Sequence, residues 1–371
     1  MLRIARILGA ALAVLSFCSV ALAQNRPSPK IQPDGLYFLS VGIGEYLQGT
    51  GDELLDSAEN SAERVAEALM DAGADYGIVL RSRIIDGQLR NAVTRDDILN
   101  AIFDLKARIR ADGAQAPRIV VYAMGHGYGD PQLNMLFLQP GDVNVPPELR
   151  GQMGVSRLVQ QTVWNIDLVA AMITFRVHPS MDYMDRFLPT KIMPDLTNPM
   201  SGLSVARFAM EMQTAEEQRR RAGAFPPEGN PPVPYILLLD NCFNSIKRDL
   251  VVDAGPVASL IQATLDTTIN EGLVYYAAPP GEERNPVPLP DALGGGQVGP
   301  LGLRLVSALR DLATPATLSE VEQSLLSVDT VASYRVGDPL VADVARTVFF
   351  SNRGGDGILD RRFGSGQQIT N

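Results

Sequence analysis

Two short apolar runs constrain this chain more than any other feature: Arg118-Ile-Val-Val-Tyr-Ala-Met-Gly-His-Gly127 and Tyr235-Ile-Leu-Leu-Leu-Asp-Asn-Cys242. Neither alternates apolar with polar residues, and both stop abruptly at polar, reactive side chains. An unbroken apolar run of strand length fits a strand buried on both faces of a parallel sheet. In such sheets ligands sit outside the carboxyl ends of the strands. His126 and Cys242 fall at that end of their respective runs. The whole chain holds only two His and two Cys, so one of each at matched positions marks a candidate site.

The flanking pattern agrees with a parallel sheet. Leu36 to Gly42 reads as a first buried strand. Asp56 to Ala72 reads as a helix, with Ala58, Ala62, Val65, Ala66 and Leu69 recurring at three- and four-residue spacing and Gly73 as its stop. A second strand is expected over Ile78 to Ile85. Thr94, with Asp97 three residues on, caps the next helix, whose buried stripe is Ile98, Ile102, Leu105 and Ile109. The strand leading to His126 follows. This β-α-β-α-β order predicts an α/β fold with a mostly parallel sheet and helices on both faces. Further strands are expected at Asn134–Leu138, Gly272–Ala277 and Thr347–Phe350, and helices at Ile166–Phe175, Val205–Arg221, Pro256–Ile269, Leu301–Leu312 and Leu318–Leu325. The Gly42-Ile-Gly44 turn lacks the rest of a dinucleotide fingerprint.

Domain boundaries follow from composition. Arg3 and Arg6 precede an apolar stretch ending in Ala21-Leu22-Ala23, which predicts a cleaved signal peptide over residues 1–23. Residues 24–35 read as a linker and 36–350 as one domain, with a long insertion at about 143–232 between the His and Cys strands. Residues 351–371 read as a flexible tail. The expected location is therefore secreted or periplasmic. Removing the signal takes away two Arg and no acid, moving the formal charge from −10 to −12. That acidic balance argues against nucleic acid or an anionic membrane as partner of the mature form. Cys242 is then the single thiol, so no internal disulfide is expected.

A Cys attacks as its thiolate, which a nearby His favours, and the His returns the proton to a leaving amine. The developing oxyanion needs backbone N–H donors, for which Gly127 and Cys242 are the candidates, the glycine allowing close backbone approach. His178 lies in the insertion and reads as a surface residue. A metal site is not expected from so few His and Cys.

The chain resembles the caspase/metacaspase family of cysteine peptidases, of a bacterial type. The resemblance runs through Phe38-Leu-Ser-Val-Gly-Ile-Gly-Glu-Tyr46, Asn60-Ser-Ala62, Val121-Tyr-Ala-Met-Gly-His-Gly127, Leu136-Phe-Leu-Gln-Pro-Gly-Asp142 and Leu237-Leu-Leu-Asp-Asn-Cys242. It implies a caspase-like three-layer sandwich, a polypeptide substrate and endopeptidase activity through a Cys–His dyad. By position, His126 would be the acid/base, Cys242 the nucleophile and Gly127 an oxyanion donor. In metacaspases an Asp on the first helix and the Asp two before the Cys help bind a basic P1 side chain. Here Asp240 is kept, Asn60-Ser61-Ala62 stands where the family often has Asn-Asp-Ala, and Glu59 is adjacent. Asp240 has a second reading, as a cap on backbone N–H groups of its turn. The residues after the Cys also depart from the family's usual His-Ser-Gly, being Phe243-Asn244-Ser245. No cofactor is implied; some metacaspases bind Ca²⁺ through acidic loops, and this chain carries no EF-hand spacing. A catalytically silent caspase-like binding module and a legumain- or gingipain-like Cys–His peptidase are the alternatives.

Overall fold

The computed structural model describes residues 35–46, 55–85, 88–114, 117–130, 135–142, 163–164, 235–245, 272–278, 284–325, 332–336, 348–351 and 357–364. These lie within one compact unit, Pro33–Asn371. The expected signal peptide, nearly all of the linker, most of the insertion with His178, and the helices expected over Ile166–Phe175, Val205–Arg221 and Pro256–Ile269 lie outside the described residues.

The first half comprises β1 (Leu36–Gly42), α1 (Asp56–Asp71), β2 (Tyr76–Arg81), the paired β3 (Arg83–Ile85) and β4 (Gln88–Asn91), α2 (Arg95–Ala111), β5 (Arg118–Met124), β6 (His126–Asp130), β7 (Met135–Leu138) and β8 (Val163–Trp164). The second half comprises β9 (Tyr235–Leu239), β10 (Cys242–Ser245), β11 (Gly272–Tyr276), the paired β12 (Val287–Pro288) and β13 (Gln297–Val298), and α3 (Pro300–Arg310). After these come β14 (Ala316–Thr317), α4 (Leu318–Leu325), β15 (Ala332–Val336), β16 (Val348–Phe350) and β17 (Ile358–Phe363).

Seven strands form the central sheet in the order β15-β11-β9-β5-β1-β2-β17. Every neighbouring pair is parallel except β11 with β15. Alternate residues of a strand face opposite sides of its sheet, and the central strands β1 and β5 are buried on both. Leu36 and Phe38 of β1 and Val120 and Tyr122 of β5 pack with Ala62, Val65, Leu69, Leu301 and Leu305 of α1 and α3. On the opposite face, the Tyr37 hydroxyl donates to Asp112 just past α2, and the predicted stripe Ile98, Ile102, Leu105 and Ile109 is fully buried. The result is a three-layer α/β sandwich, the architecture that the resemblance implies. Each large aliphatic side chain so buried contributes about 1.5–3 kcal/mol.

Local signals explain the boundaries. Thr94 and Asp97 form a reciprocal capping box: the Asp97 N–H donates to Thr94 Oγ1 at 3.1 Å and the Thr94 N–H to the Asp97 carboxylate at 2.8 Å. Gly42 lets α1 close onto the end of β1, since a Cβ there would lie 2.4 Å from the Ala58 carbonyl oxygen.

Two expectations need correction. Within the stretch read as a flexible tail, Ile358–Phe363 is the edge strand beside β2. Its charge hid it: Asp360 and Arg362 pair with each other at 2.6 Å, and edge strands tolerate such side chains because one side faces solvent. The strand expected to run to Ile85 ends at Arg81 and is followed by the β3–β4 pair. The strand expected at Thr347–Phe350 is present as Val348–Phe350, paired with β14 in a separate two-stranded sheet.

A second, four-stranded sheet, ordered β10-β6-β7-β8, begins where β5 and β9 leave the first. Gly125 separates β5 from β6, and Asp240-Asn241 separates β9 from β10. Two neighbouring strands thus pass together from one sheet into the next, and His126 and Cys242 both stand at the crossing.

Candidate active site

The site is built at that crossing. Strands β5 and β9 run in parallel with Ala123 opposite Leu239, and β6 and β10 resume in parallel with His126 opposite Cys242. Neighbouring strands lie about 4.8 Å apart, so the backbone brings these two positions next to each other. Gly127 is buried and stands between Leu138 on one side and Phe243 on the other.

The His126 backbone is held at both polar groups. Its N–H donates to the Tyr46 hydroxyl at 2.8 Å, and its carbonyl accepts from Gln139 N–H at 2.9 Å. The Tyr46 ring stacks on the imidazole with centroids 5.1 Å apart and planes inclined by 25°. The half-buried His126 therefore has one ring face covered. Across the crossing, Asn241 Nδ2 donates to the Gly125 carbonyl at 2.8 Å, tying the two strand breaks together.

Asp240 and Ser61 meet a different feature, the N-terminus of α3, whose first N–H groups have no partners within the helix. Gly302 N–H donates to Asp240 Oδ2 at 2.7 Å, and Gly299 N–H donates to Ser61 Oγ at 2.9 Å. The Tyr122 hydroxyl adds a bond to the same Asp240 oxygen at 2.8 Å. Space is so tight that a Cβ on Gly299 would lie 2.1 Å from Asp240 Oδ2. Oδ1 of Asp240 is buried with no hydrogen-bond partner among the described residues. Glu59 lies two positions before Ser61 on α1, half-buried. Next to it, Asn60 Nδ2 donates to the carbonyls of Gln297 at 2.9 Å and Gly295 at 3.3 Å, which docks the loop before α3 onto α1.

Burial dominates the electrostatics of this cluster. It pushes the Asp240 carboxyl up to about 6, although the bonds from Gly302, Tyr122 and Leu301 favour the ionised form and pull the other way. Burial, followed by the Asp240 charge, raises the Tyr122 phenol well above its ordinary value.

Of the predicted site residues, His126 and Cys242 become register partners, while Asp240 and Ser61 share one helix terminus. Asp240 caps backbone N–H groups, as its second reading held, but those of α3 rather than of its own turn. Tyr46, Asn241, Tyr122 and Asn60 were not assigned roles from the sequence. For Tyr46 the available signal was a polar aromatic shortly after the first strand's carboxyl end. Among the described residues, no group of three or more His, Cys, Asp or Glu converges to hold a metal ion, and no helix is long and apolar enough to cross a membrane.

The chain matches no protein-family model and no curated protein sequence. Among solved structures it is similar to caspase-1 from Spodoptera frugiperda, at 10% identity and a TM-score of 0.37, over 94% of this chain and 96% of that one.

Proposed function

We propose that this protein is a caspase-like cysteine endopeptidase in which Cys242 is the nucleophile and His126 the acid/base. The observation that carries the reading is the parallel register in which Cys242 stands opposite His126 at the crossing between two sheets. In the proposed reaction the Cys242 thiolate attacks the scissile carbonyl carbon. Backbone N–H groups of Gly127 and Cys242 receive the charge that develops on the oxygen. The His126 imidazolium gives its proton to the departing amine, leaving an acyl group on the sulfur. A water molecule, deprotonated by the neutral imidazole, then releases the new carboxyl terminus and restores the thiol.

A basic P1 residue is the proposed specificity. Asp240 Oδ1, buried and without a hydrogen-bond partner among the described residues, supports it, because a desolvated carboxylate oxygen attracts a charged donor strongly. Ser61 and Glu59 are the proposed companions on α1. Export with Gln24 as the mature N-terminus completes the proposal.

Fluorogenic peptides carrying Arg, Lys, Asn or Asp at P1 test this reading with wild type and Cys242→Ala side by side. Turnover after Arg and Lys that disappears in Cys242→Ala is the expected result. Turnover after Asn alone would favour a legumain-like specificity over the basic one. Absence of turnover of every peptide, or equal turnover by both proteins, would remove the peptidase assignment.

A further inference from the structure

We infer that Tyr46 is the positioning residue for His126, fixing both the backbone and the ring of the acid/base. The inference rests on the peptidase reading for its catalytic consequence, but its geometry stands independently.

Tyr46 lies just beyond β1, in a segment held along its length. Ile43 N–H donates to the Met124 carbonyl at 2.9 Å, extending the β1–β5 ladder, and the Gly44 carbonyl accepts from Leu55 N–H at 3.1 Å. The Glu45 carbonyl accepts from Ser82 Oγ at 3.4 Å. The tyrosine hydroxyl is itself oriented, donating to the Ile43 carbonyl at 3.3 Å while accepting from His126 N–H at 2.8 Å. Gly125 makes room for this approach: a Cβ there would lie 3.3 Å from the hydroxyl and 3.2 Å from Ile43.

One side chain thus acts on His126 in two separable ways. The hydroxyl terminates the His126 N–H where the chain leaves the central sheet, so that the crossing does not leave that donor bare. The ring, stacked at 5.1 Å and 25°, restricts rotation of the imidazole about its side-chain bonds. A dyad depends on orientation more than on affinity, because misplacing a catalytic group by about 1 Å costs on the order of 100-fold in rate. Tyr46 therefore acts on kcat rather than on KM.

Two variants separate the two actions. Tyr46→Phe keeps the stack and removes the hydroxyl bond; Tyr46→Leu removes both. Since His126 and His178 are the only histidines, the imidazole proton resonances are few and His178→Ala assigns them. In Tyr46→Leu the His126 resonance should lose its ring-current displacement, with kcat down about 10- to 100-fold and KM unchanged. In Tyr46→Phe the resonance should stay displaced, the His126 amide should exchange faster, and kcat should fall only about 2- to 10-fold. Unfolding midpoints measured alongside identify any loss that comes from unfolding. An unmoved His126 resonance in folded Tyr46→Leu, or a loss appearing in KM instead of kcat, would overturn the inference. Wild type without peptidase activity would sink the proposed function alone, and the resonance would still decide whether Tyr46 holds the ring.

Discussion

The Tyr122 hydroxyl of β5 donates to Asp240 Oδ2 at 2.8 Å, tying β5 to the residue that follows β9. The same carboxylate oxygen receives Gly302 N–H, so one buried acid joins the carboxyl end of β9 to the start of α3. Strand, tyrosine and helix terminus form a unit around a charge that burial disfavours.

The pH dependence of stability should show this. The Asp240 carboxyl is raised to about 6 in the folded protein, from an ordinary value of 3.8. Between those values the folded state keeps a proton that the unfolded chain releases. The contribution is therefore full below about pH 4 and is lost as the pH rises through about 6, for a change on the order of 3 kcal/mol. Asp240→Asn lacks this titration. Urea unfolding of both proteins from pH 4 to pH 7 should show the wild-type stability falling relative to the variant as pH rises. A difference that is flat or rises would contradict it.

Tyr122→Phe removes a donor that serves the ionised carboxylate. The cost should be about 1–3 kcal/mol at pH 7. At pH 4, where Asp240 is protonated, it should be smaller. Equal costs at both pH values would show that the hydroxyl does not act through the charge.

Gly42→Ala tests the close approach of α1 to β1. The added methyl would sit 2.4 Å from a backbone carbonyl oxygen, which no side-chain rotation relieves. Overpacking of this kind costs about 1–3 kcal/mol, to be read as a lower urea midpoint. A midpoint equal to wild type would mean that the helix is free to withdraw.

Thr94→Ala should cost about 1 kcal/mol by removing the N-cap of α2, and Thr94→Ser should restore most of it. Because α2 covers the sheet face opposite α1, the proposed peptidase activity should persist in both variants. A Thr94→Ser protein as unstable as Thr94→Ala would show that the hydroxyl is not what caps the helix.

Periodic and capped elements were legible in the sequence because the cause of each is local. The stripe Ile98, Ile102, Leu105 and Ile109 and the Thr94–Asp97 box both lie within a few residues of the structure they specify. The matched ends of the two apolar runs were legible too, since a buried strand cannot continue into residues such as Gly125-His126 or Asp240-Asn241 without a change of surroundings. Contacts distant in sequence were not. Asp240 meets Gly302 across 62 positions, and no local pattern announces a strand-end carboxylate that caps a later helix. Tyr46 reaches His126 across 80 positions. Ile358–Phe363 escaped for a different reason, because a charged edge strand resembles a loop in composition.

Covalent labelling asks whether the Cys242 thiol is activated and whether His126 activates it. Wild type, Cys242→Ala and His126→Ala would be incubated with a peptidyl acyloxymethyl ketone bearing Arg or Lys, and the modified residue located by mass spectrometry. Iodoacetamide treatment after denaturation would confirm that the thiol is intact in wild type and His126→Ala. A Cys242–His126 dyad should give rapid labelling of wild type at Cys242 alone, none in Cys242→Ala, and slow labelling in His126→Ala. A wild-type Cys242 that stays unmodified, or one labelled equally fast without His126, would contradict it.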